Sequence, residues 1–150
     1  MVDKESKFRG GFQAVPRQVK AVIWLTSFTG LGIGYLMTYV AAYLPELGLS
    51  SGDVGLIIGA MSVAAMIAAV PLGLLSDRIG RKKVLLLALG IFPFILFGFA
   101  LTTELWAMLV LAILAGISEG AFLTAWNALI ADQTTLDNRN PAFALSFIVN

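Results

Sequence analysis

The sequence contains no cysteine and no histidine. Those two absences remove disulfides, thiol nucleophiles, imidazole bases and the usual zinc ligands together. Charge is scarce too: 13% of the residues are charged, against roughly 25% in soluble domains. What charge there is nearly cancels, leaving a net +1, so no bulk field favours nucleic acid and no nucleic-acid partner is expected. Asp, Glu and Lys remain as catalytic side chains, but nothing clusters them. No enzyme, no cofactor and no metal site is expected. What is abundant is apolar surface, with 59% hydrophobic residues and a mean hydropathy of +0.90. A lipid environment demands that composition.

A helix crossing about 30 Å of hydrocarbon needs roughly 20 apolar residues. Between charged residues the chain offers four such runs, at 21–45, 54–76, 84–103 and 105–131, the last interrupted only by Glu119. A fifth begins at Pro141 and stops at Asn150; ten helical residues rise only about 15 Å, too little to span. The expected class is an all-α membrane protein, a polytopic bundle surrounded by lipid. Ser50 with Asp53 reads as a capping box for the second span, and Thr102, Thr103 and Glu104 are expected to start the fourth in the same way. Pro71 and Pro93 fall inside spans and should kink them. Gly30, Gly32 and Gly34 lie in an apolar run with no preceding strand, so packing explains them better than a nucleotide loop.

Basic residues set the orientation. The tail 1–20 holds Lys4, Lys7, Arg9, Arg17 and Lys20, the second-to-third loop Arg78, Arg81, Lys82 and Lys83, and the fourth-to-fifth loop Arg139. The intervening loops carry only Glu46, Asp53 and Glu104. The N-terminus is therefore expected in the cytoplasm of a multi-pass plasma-membrane protein. A secretory signal is excluded, because the first apolar run exceeds the usual 7–15 residues and more spans follow.

One segment is far more specific than the rest: Gly73-Leu74-Leu75-Ser76-Asp77-Arg78-Ile79-Gly80-Arg81-Lys82-Lys83. Asp77 ends the second span, where the helix dipole is negative, so its carboxylate needs a partner: Arg78, Arg81 or another helix's N-terminus. Gly80 would permit a tight reversal. The segment resembles the signature of the major facilitator superfamily, Gly, three residues, Asp, Arg or Lys, any residue, Gly, Arg, then Arg or Lys. That family places it in the same cytoplasmic loop. The resemblance implies the first four spans and the start of the fifth of a transporter with twelve. It also implies that Gly73, Asp77, Arg78, Gly80, Arg81 and Lys82 form a conformational gate, with Asp77 docking on a helix of the second half. Asp132 and Arg139 would join the same cytoplasmic charge network; a solvated loop pair is the competing reading.

Glu119 is the one charged residue deep in a span, where a central carboxylate costs about 2.5–3.5 kcal/mol. Its seven-residue neighbours are Ala112 and Trp126. Because the family lines its pathway with the first and fourth spans, the resemblance makes Glu119, Tyr35, Tyr39 and Asn127 candidates for contact with a small-molecule substrate or a coupling proton. A structural role competes for each. Gly55 with Gly59, and Ala65, Ala69 and Gly73, form small-residue stripes suited to helix packing in lipid. One departure stands out. Drug-proton antiporters of the family carry an arginine four residues before a glycine in the fourth span, and counting back from Gly116 gives Ala112.

The resemblance covers one repeat, the fourth span and part of the fifth. The expectation is therefore an N-terminal piece of an alternating-access secondary transporter of small solutes, whose C-terminal half is a missing partner. The alternative is a small four-helix protein acting as an oligomeric carrier or channel, or a non-transporting membrane component.

Overall fold

The computed structural model describes residues 17–134, 139–140 and 142–144. The basic residues Lys4, Lys7 and Arg9, the expected fifth-span start at Pro141 and the side chain of Tyr35 lie outside that description. The described residues are all-α, with helices α1 (Arg17–Tyr43), α2 (Ser51–Ile79), α3 (Arg81–Leu101) and α4 (Leu105–Asp132) and a 3₁₀ turn at Pro45–Leu47. Three of them, α2, α3 and α4, are long and apolar enough to cross a membrane. The runs expected at 54–76 and 105–131 fall within α2 and α4, and those at 21–45 and 84–103 overrun the ends of α1 and α3 by two residues. Elsewhere the helices continue past the charged residues that bound an apolar run.

The connections show how local chemistry sets those boundaries. The capping box is present: Asp53 N–H donates to Ser50 Oγ at 3.2 Å, and Ser50 N–H donates to Asp53 Oδ2 at 2.9 Å. At α4 the expected box is replaced by a smaller turn, in which Glu104 N–H donates to Thr102 Oγ1 at 3.4 Å. Pro45 opens the 3₁₀ turn two residues beyond α1, and Gly48 closes it at φ +88°. Pro71 and Pro93 lie inside α2 and α3 without ending them.

The chain forms two compact units, one of residues 1–35 with 128–150 and one of 36–127. The core of the second unit draws on all four helices: Leu36 and Val40 from α1 with Leu44 just beyond it, Val54, Ile57 and Met61 from α2, Ile95 and Phe99 from α3, and Met108, Ala112 and Ala115 from α4. It lies at the end of the helices opposite the basic α2–α3 turn. Outside it, Met66, Val70, Phe94, Phe97, Leu101 and Trp106 are each more than 60% exposed. Helices apolar on every face belong in hydrocarbon. In the first unit, Ile23, Ile130 and Ala142 are buried.

Candidate functional site

The signature segment makes a one-residue joint. Gly80 is both the C-cap of α2 and the N-cap of α3, at φ +103° and ψ +127°, a conformation that a side chain would strain. Its N–H donates to the Ser76 carbonyl at 3.0 Å, and its own carbonyl accepts from Lys83 and Val84 N–H at 3.0 and 3.3 Å. Of the partners considered for Asp77, the structure shows Arg81, whose Nε and Nη2 both donate to Oδ1 at 3.2 and 3.1 Å. The pair bridges the joint one helical turn apart, with Asp77 still 59% exposed. Arg78 and Lys82 are exposed, and neither side chain forms a hydrogen bond or ion pair with any described residue. Beneath them Ser76 is 2% exposed, and its hydroxyl has no partner among the described residues.

Gly73 holds α4 rather than open space. A Cβ there would lie 3.0 Å from Thr124 Cγ2. The contact continues a seam along which α2 and α4 run in the same direction. A Cβ on Gly120 would meet the Ala65 carbonyl oxygen at 2.6 Å, and one on Gly116 would fall on the Met61 carbonyl oxygen. Of the expected small-residue stripes, Ala65 and Gly73 therefore belong to a contact. Gly55 and Gly59 do not: both are exposed, with nothing within 4 Å of a Cβ. The spacing Gly116, Gly120, Thr124 was the missed signal. It repeats every four residues on α4, as the stripe on α2 does.

Glu119 lies beside this seam, half-buried between buried Ser118 and Gly120. Its carboxyl makes no hydrogen bond or ion pair with a described residue. Ala112 and Trp126, two turns away on either side, are 0% and 3% exposed. Ser118 donates to the Ala88 carbonyl at 3.0 Å, a buried link from α4 to α3 that the sequence did not suggest. Phe122 and Trp126 stack with centroids 6.3 Å apart. Tyr39 is half-buried and stacks on Tyr43 at 4.6 Å, so its ring is held by the neighbouring tyrosine. Asn127 is exposed. In the other unit Arg139 Nη2 donates to the Ala131 carbonyl at 3.2 Å, one residue before the exposed Asp132. The structure thus joins Asp77 to Arg81 and leaves Glu119 with no protein partner among the described residues.

The family model described as Major Facilitator Superfamily matches residues 22–150. The chain is similar to the quinolone resistance protein NorA of Staphylococcus aureus (strain MRSA252), with 30% identity over 121 residues, which are 80% of this chain and 31% of that protein. It is also similar to an uncharacterized MFS-type transporter of Methanocaldococcus jannaschii, with 31% identity over 135 residues, 84% of this chain and 35% of that protein. The chain spans about a third of the length of these curated relatives.

Proposed function

The chain belongs to the Major Facilitator Superfamily, and on that premise we propose that it works within a secondary active transporter moving a small solute by alternating access. The observation that carries this reading is the joint at Gly80. An aspartate at a helix C-terminus is held to Arg81 across a single residue and keeps most of its surface open. A carboxylate so placed can be shared with a further helix when one face of the transporter closes, and released when it opens. The remaining signature cations, Arg78 and Lys82, lie within five residues of it in the chain. The N-terminus and the 78–83 turn are cytoplasmic in this reading, supported by the basic residues of the tail and that loop. Modification of the turn by an impermeant reagent outside intact cells would overturn it.

Glu119 is the proposed polar contact of the pathway. A carboxyl without a protein partner at membrane depth is expensive unless water or a ligand reaches it. The name of the staphylococcal relative makes quinolones the first compounds to test as substrates. Ala112 stands where drug-proton antiporters carry arginine, so coupling by that arginine is not part of the proposal.

The experiment is transport by the full-length protein in liposomes, with a panel of solutes that includes a quinolone. Asp77→Asn is expected to cut the rate at least tenfold with expression unchanged; wild-type rates would remove its gating role. Glu119→Gln is expected to change KM or the pH dependence of transport. If neither moves, Glu119 is structural.

A further inference from the structure

A groove of about 470 Å³ runs along the outside of the α2–α4 pair. Ala60, Ala64, Ile67 and Pro71 line it from α2, and Ile113 and Ile117 from α4. Every lining side chain is apolar, so the groove is suited to hydrocarbon.

The face of α2 that lines it leads to positive charge. Positions 60, 64, 67 and 71 follow the alternating four- and three-residue spacing of one helical face, and 74 and 78 continue it. Leu74 is 63% exposed, and the next position is Arg78. From 71 to 78 the helix rises about 10 Å, which carries the face from the groove to the end of α2. Arg78, Lys82 and Lys83 are all exposed there, and none of their side chains makes a hydrogen bond or ion pair with a described residue. Arg81, by contrast, is held by Asp77. The N-terminus of α3 adds a fourth positive element. Gly80 supplies no side chain to cap it, whereas α2 has its Ser50–Asp53 box. An uncapped N-terminus flanked by lysines favours phosphate.

From this continuity of apolar groove and cationic end we propose that α2 and α4 hold an anionic phospholipid. One acyl chain lies in the groove, and its phosphate sits at Arg78, Lys82, Lys83 and the start of α3. The occupant is a lipid because the apolar groove leads to positive charge at one end only, where a phosphodiester would be. The inference requires a membrane-embedded chain and does not depend on transport, so it can fail while the transport reading stands.

The test is native mass spectrometry of the full chain, released from nanodiscs of equimolar phosphatidylglycerol and phosphatidylcholine. Phosphatidylglycerol is expected to be retained at least fivefold over phosphatidylcholine. Neutralising Arg78, Lys82 and Lys83 to Gln should bring the ratio near one, with each residue contributing up to about fivefold. Arg78→Lys, which keeps the charge, should retain the preference. Val63→Trp, at a 51% exposed position on the groove, should lower retention of both lipids and leave the ratio unchanged. Circular dichroism confirms equal helix content in each variant. A wild-type ratio near one would overturn the proposal, as would a preference that survives neutralisation or retention that Val63→Trp leaves intact. Efficient disulfide trapping between two copies carrying Ile67→Cys would also overturn it, by giving the groove to a second chain.

Discussion

The α2–α4 seam and the α2–α3 joint are built from opposite materials. At the seam, Gly116 and Gly120 bring two backbones together with no charge and no ion pair. At the joint, Asp77 and Arg81 pair in an exposed position, and the close packing lies elsewhere. In lipid, helices gain little from the hydrophobic effect against one another, so close approach of small residues holds them. An exposed pair one turn apart contributes only about 0.3–0.5 kcal/mol. The seam carries stability, and the joint is free to carry movement.

Substitutions can break that division. Gly116→Val should have the largest effect, because its side chain meets the Met61 backbone, which cannot rotate away. Overpacking of this kind costs about 1–3 kcal/mol or more, and thermal unfolding in detergent should shift down sharply or the protein should fail to purify as a single species. Gly80→Ala should cost about 1–3 kcal/mol of backbone strain, seen in the same assay. Ser118→Ala removes the link to the Ala88 carbonyl and should cost about 0.6 kcal/mol, typical of such bonds in membranes. Smallest is Asp77→Asn, expected to change stability by less than about 0.5 kcal/mol while abolishing most transport. A large loss of stability from Asp77→Asn, or none from Gly116→Val, would reverse the assignment of roles.

Much of the fold was legible because the signals were local. Apolar runs located the helices, Ser50 and Asp53 marked the start of α2, and the Gly73-to-Lys83 segment marked the turn. Hydropathy did not place Arg17 to Lys20 on α1, because polar residues extend a helix beyond its apolar run. Nor does four-residue spacing say which face meets a neighbour. Gly55 and Gly59 have the same pattern as Gly116 and Gly120, yet only the α4 pair has backbone against it. The Ser118–Ala88 bond joins residues 30 apart, and no local pattern encodes it. For the candidate pathway, the sequence identified Glu119 by its isolation. It did not reveal that Tyr39 is stacked on Tyr43, since the same four-residue stripe suits ligand contact and ring stacking alike.

Because Gly80 ends one helix and begins the next, no spare residue lies between α2 and α3 to absorb a displacement. A tilt of α2 must either be taken up in the two dihedrals of that glycine or be passed whole to α3. The hairpin is thus a two-armed lever with a single pivot. Lengthening the pivot by even two flexible residues would uncouple its arms while leaving each helix intact.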